Sequence, residues 1–84
     1  MTVKLGKYSL TYKKFGPNGI LIEWPKRIEE AILYEILAFQ EIITSEYGDR
    51  VMANHAYQSI LVGFPTSDFN FEKEVTILKQ GYEN

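Results

Sequence analysis

Apolar and polar residues alternate from Tyr8 to Phe15. Tyr8, Leu10 and Tyr12 fall on one side, and Lys7, Ser9, Thr11 and Lys13 on the other. That period of two, carried by β-favouring residues, predicts a strand. Gly16-Pro17-Asn18-Gly19 interrupts it. Glycine and asparagine accept positive φ and proline presets a turn position, so a hairpin is expected. Its second strand runs from Ile20 to Trp24, with Ile20, Ile22 and Trp24 on one face and Leu21 and Glu23 on the other. Pro25 ends the strand and suits the entry to a helix. From about Lys26 to Glu46 the spacing becomes helical. Ile28, Ile32, Ile36, Phe39 and Ile43 form one stripe, which Leu33 and Leu37 widen. Glu29 and Glu30 fall in the first turn, where the helix dipole favours anions, and Gly48 is a natural stop.

The second half repeats the order. Val51 to Asn54 reads as a short third strand with His55-Ala56 as its turn. Tyr57 to Phe64 is the fourth, with Ile60, Val62 and Phe64 on one face and Tyr57, Ser59 and Leu61 on the other. After a loop at Pro65-Thr66-Ser67-Asp68, Ser67, Asp68 or Asn70 caps a last helix from about Phe69 to Gln80. Its stripe is Phe71, Val75 and Leu78, and Gly81 ends it. The order ββαββα predicts an α+β fold, a two-layer sandwich. In it a four-stranded, mainly antiparallel sheet carries both helices on one face. The helices should cover Ile20, Ile22, Ile60 and Val62, leaving Leu21, Tyr57, Ser59 and Leu61 on the open face.

Length and composition narrow the classes. Eighty-four residues make one domain. It buries roughly 60–65% of its unfolded surface, with a total stability of about 4–12 kcal/mol. There is no cysteine, and His55 is the sole histidine, so neither a disulfide nor a metal staple is expected, and no cofactor is called for. Hydrophobic content of 45% with a net charge of −2 excludes a disordered chain. Lys13-Lys14 and Lys26-Arg27 are isolated pairs, not the clustered basic face that nucleic acid requires. Met1 to Gly6 has no apolar core of a signal peptide. The apolar stretch from Ile28 to Ile43 carries Glu29, Glu30, Glu35 and Glu41, too many charges to span a bilayer. A cytoplasmic protein is expected.

Two segments carry a resemblance. Gly16-Pro17-Asn18-Gly19-Ile20-Leu21-Ile22-Glu23-Trp24 and Asn54-His55-Ala56-Tyr57-Gln58-Ser59-Ile60-Leu61-Val62 bracket the long helix. In order and spacing, over roughly Leu10 to Pro65, they resemble the N-terminal domain of one bacterial family. It groups the kinase A inhibitor with a 5-oxoprolinase subunit and with allophanate hydrolase subunit 1. Gly16, Glu23, Ala56, Tyr57, Ser59, Leu61 and Val62 match the family pattern as they stand. Pro17-Asn18 replaces the usual Asp-Ser, His55 the usual proline, and Gln58 the usual arginine, whose charged fork glutamine cannot imitate. The resemblance implies a second, cyclophilin-like domain in family members, and these residues are expected to hold the first domain alone. It also implies a polypeptide that works by docking, on a carboxyltransferase-like partner subunit or on a histidine kinase. The alternative it implies is a contributing subunit of an ATP-dependent 5-oxoprolinase or allophanate hydrolase complex.

No catalytic constellation accompanies the resemblance. His55 is close enough in sequence to approach Ser59, but no acid is placed by any motif to complete a relay. Glu29 and Glu30 are adjacent on a helix, point apart, and serve the dipole better than acid–base chemistry. Gly16 to Gly19 lacks the Lys-Ser/Thr of a phosphate loop. The six tyrosines and one tryptophan read as core before they read as a ligand pocket. Leu33, Tyr34 and Leu37 exceed what one core-facing stripe needs, and Leu21, Tyr57 and Leu61 form a second apolar group. The expected partner-binding residues are therefore Leu21, Tyr57, Gln58, Ser59 and Leu61, with a homodimer as one possible assembly.

Overall fold

A computed structural model describes residues 5–27, 29–48, 51–56 and 58–83, without the side chains of 55 and 56. The elements are β1 (Thr11–Phe15), β2 (Gly19–Glu23), α1 (Glu30–Tyr47), β3 (Met52–Ala56), β4 (Ser59–Gly63) and α2 (Phe71–Glu83). The sheet order is β1-β2-β4-β3 and every neighbouring pair is antiparallel. β4 thus inserts between β2 and β3, and α1 carries the chain across it. This is the expected α+β sandwich.

Both hairpins form, with shifted details. Leu10 and Tyr8 precede β1 yet pack inward against the core, so the alternation holds beyond the hydrogen-bonded strand. The turn Gly16-Pro17-Asn18 closes with Gly16 at φ 66. Asn18 ties the hairpin to β4: its side-chain amide donates to the Phe64 carbonyl (2.7 Å), and the Phe64 N–H donates to the Asn18 carbonyl (2.8 Å). The second hairpin turns later than expected. His55 and Ala56 belong to β3, in register with Ile60 and Ser59, because pairing continues to the end of that strand. β4 accordingly begins at Ser59 rather than Tyr57.

The helices also differ at their ends. α1 begins at Glu30, four residues past the expected start. Glu29 is extended at φ −135, and the Arg27 N–H turns back onto the Pro25 carbonyl at 2.9 Å. Lys26, Arg27 and Glu29 belong to a connection, not to a first turn. Ile28, assigned to the stripe, lies outside the described residues. α2 is capped by Asn70, whose Oδ1 accepts from the Lys73 N–H at 3.0 Å. It runs through Gly81 to Glu83. Gly81 is not a terminator here but a point of close approach to α1. A Cβ there would meet Ile42 and Phe39, each at 3.8 Å.

The core lies between sheet and helices. Ile20 and Ile22 of β2, Ile60 and Val62 of β4, and Ile32, Ile36, Phe39 and Ile43 of α1 are buried, joined by Leu78 and Tyr82 of α2. Trp24, Phe39 and Tyr82 pack as a ring cluster with centroids 5.5–6.2 Å apart. Within this layer sits a carboxyl group: Glu35 is 2% exposed.

Candidate functional site

Cross-strand register fixes which side chains share the face away from the helices. Pairs Lys13–Leu21, Leu21–Leu61 and Leu61–Asn54 form one row across all four strands. Because Ile20, Ile22, Ile60 and Val62 are buried under the helices, the period of two sends Leu21, Glu23, Ser59 and Leu61 outward. Leu21 and Leu61, placed on this face from sequence, sit side by side at its centre and are half-buried. Ser59 pairs with Glu23 in the next row. Lys13 Nζ reaches Glu23 Oε1 at 2.9 Å on the same face; both groups are exposed, so the bond adds less than about 1 kcal/mol.

Two further residues complete the face. Phe15 and Met52 are 53% and 70% exposed, and the register places them at opposite ends of the row Phe15–Gly19–Gly63–Met52. Two glycines lie between two large apolar side chains. At Gly19 a Cβ would stand 2.6 Å from the Phe15 carbonyl, so only glycine fits. Sequence reasoning missed both apolar residues. One further step of the Lys7–Lys13 parity would have found Phe15. Met52 needed the β3 register, which its short, mixed sequence did not supply.

Gln58 stands at the rim. Its carbonyl accepts from the Trp24 N–H at 2.8 Å, and its side-chain amide donates to the Arg27 carbonyl. It therefore fastens the β3–β4 connection to the segment between β2 and α1. Glu23, Trp24, Lys26, Gln58 and Ser59 line a cleft of about 350 Å³ there. Two of the expected partner-binding residues thus share a cleft, and two others lie on the adjoining face. Tyr57, the fifth, is outside the described residues. The suggested approach of His55 to Ser59 meets a register in which His55 pairs with Ile60, and Ser59 with Ala56.

The buried carboxyl group lies on the opposite side of the sheet. Glu35 Oε1 accepts from Trp24 Nε1 (2.9 Å) and from the Tyr82 hydroxyl (2.5 Å), and Oε2 accepts from the Lys7 N–H (3.2 Å). The Tyr82 hydroxyl in turn accepts from the Tyr8 N–H at 3.0 Å. Three donors converge on an acceptor-only group, which satisfies it without a cation. Tyr82 is held well above the ordinary tyrosine pKa, first by burial and then by its bond to Glu35. Tyr12 is raised in the same way by burial and by the nearby Glu83 carboxylate. Its hydroxyl is buried with no hydrogen-bond partner among the described residues. The Glu35 network ties α1, α2, the segment before β1 and the residue that follows β2 into one unit, which is a structural role. No group of three or more metal-ligating side chains is found among the described residues, and no described helix is long and apolar enough to cross a membrane.

A scan against protein-family models, a search of curated proteins and a search of solved structures each find no match to this chain.

Proposed function

We propose that this chain is a non-catalytic protein-interaction domain, and that its uncovered sheet face is the docking surface. The observation that carries this is the set of Phe15, Leu21, Leu61 and Met52 on a face that no described element covers. Apolar side chains collected on one open sheet face are worth about 25 cal/mol for each Å² a partner removes from water. The polar rim of Lys13, Glu23, Gln58 and Ser59 supplies hydrogen-bonding groups around that centre, the usual composition of a protein interface.

The partner classes follow from the motif order in residues 16–24 and 54–62. They are a carboxyltransferase-like subunit, as for the 5-oxoprolinase and allophanate hydrolase subunits it resembles, or a histidine kinase, as for the kinase inhibitor. Gln58 in place of arginine weighs against a direct catalytic contribution, since its amide is engaged by the Arg27 carbonyl. Size-exclusion chromatography of the chain mixed with each candidate is the test. Co-elution with one of them, lost in a Leu21→Lys, Leu61→Lys double variant, is expected. Independent elution from every candidate would overturn the proposal. Assaying the same mixtures for ATP-dependent 5-oxoproline turnover separates docking from a share in catalysis.

A further inference from the structure

α1 carries a second apolar strip, on the layer opposite the open sheet face. Leu33, Tyr34 and Leu37 are 47%, 51% and 41% exposed. Relative to Glu30 they fall at i+3, i+4 and i+7, and Glu41 falls at i+11, so the five residues form one continuous helical row. Three apolar side chains are thus bounded at each end by a carboxylate. Among the described residues neither Glu30 nor Glu41 makes an ion pair. The whole of α1 contains no lysine or arginine. A shallow depression of about 560 Å³, lined by Leu37, Gln40, Glu41, Thr44 and Ser45, prolongs the strip toward the C-terminal end of the helix.

We infer that this face of α1 docks a basic amphipathic helix of a partner protein, with lysine or arginine at each end of a short apolar row. Charge decides the occupant. A cationic helix would bring its two positive ends to Glu30 and Glu41 while its apolar row covers Leu33, Tyr34 and Leu37. Packing of helix faces in this way uses anchors at i, i+3, i+4 and i+7. A second copy laid α1 against α1 would instead bring two acidic rims together, which is unfavourable. The site is independent of the sheet-face docking proposed above, because it lies on the other layer and shares no residue with it.

Two capped synthetic helices of about 16 residues test this. One has leucines at i, i+3 and i+4 flanked by lysines, and the other carries glutamates in place of the lysines. Titration of each into the ¹⁵N-labelled chain at physiological salt is followed by amide shifts. The basic peptide is expected to move signals of Leu33, Tyr34 and Leu37, and to bind at least about tenfold more tightly than the acidic one. A double variant, Glu30→Lys with Glu41→Lys, should reverse that preference; the substituted positions are exposed, and circular dichroism verifies that the helix persists. Leu61→Lys, which disables the sheet face, should leave peptide binding unchanged, so the two proposals fail separately. Equal binding of both peptides, absence of binding, or shifts confined to the sheet face would overturn the inference. So would concentration-dependent self-association removed by Leu37→Gln, which would make the occupant a second copy.

Discussion

Glu35 shows how one side chain can be costly alone and stabilising in company. A buried carboxylate without partners would be prohibitive, but here donors from Trp24, Tyr82 and Lys7 meet it. In Glu35→Gln, an oxygen kept at the Oε1 position leaves an NH₂ facing the Lys7 N–H, donor against donor. We expect a loss of about 1–3 kcal/mol in urea unfolding. A change below a few tenths would show the network to be idle. The tyrosines set a limit at high pH. A phenol whose pKa is raised by folding stays protonated in the native state where the unfolded chain would ionise. Its contribution is complete below the ordinary tyrosine value of about 10 and declines as pH climbs above it. Stability should therefore fall in that alkaline window, and Tyr12→Phe should soften the fall, with unfolding midpoints against pH as the readout. Residue 35 itself was not legible as a network centre. Its spacing from Ile32 and Phe39 puts it on the buried arc, while a carboxylate ordinarily prefers water. The side-chain donors that resolve the conflict lie 11 and 47 positions away.

At the scale of elements, propensity located the helices and strands, and tertiary contacts set their ends. Gly81 is the clearest case. Glycine near the end of a periodic stretch signals a stop, yet here the helix continues to Glu83, with Gly81 facing Ile42 and Phe39 of α1. A methyl at that point would stand in ordinary contact distance, so the space tolerates it. Gly81→Ala is expected to raise stability by about 0.5–1 kcal/mol, the helix-interior difference between the two residues. A drop in thermal midpoint would show that α1 and α2 need closer approach. Asn70 was one of three capping candidates, and its side chain is the one that meets an amide of the first turn. Asn70→Ala should cost about 1 kcal/mol in the same assay. The late start of α1 had no clear signal, since Lys26 and Arg27 are good helix formers held out by the local turn at Pro25.

For the whole molecule, the alternation in β2 and β4 was sufficient to predict two sheet faces of opposite character. It told which residues the helices would bury, and hence that Leu21 and Leu61 would be left uncovered. What it did not tell was the row that Phe15 and Met52 close, because that row exists only once four strands are in register. The open face should be nearly free of folding consequence. Leu21→Lys with Leu61→Lys, both on half-buried outward positions, should lower stability by no more than about 1–2 kcal/mol while abolishing partner association. Complete unfolding of that variant would mean the face belongs to the core instead.

The insertion of β4 between β2 and β3 has a consequence in time. As the chain leaves the ribosome, the first hairpin and α1 emerge long before the strand that joins them to β3. Until Ile60 and Val62 arrive, the greasy side of β2 has no central neighbour and the nascent protein is two halves without a keystone. A product stopped ahead of Ser59 should be degraded or held by chaperones. One extended past Gly63 has every strand of the sheet, and the core closes when Leu78 and Tyr82 of α2 have followed.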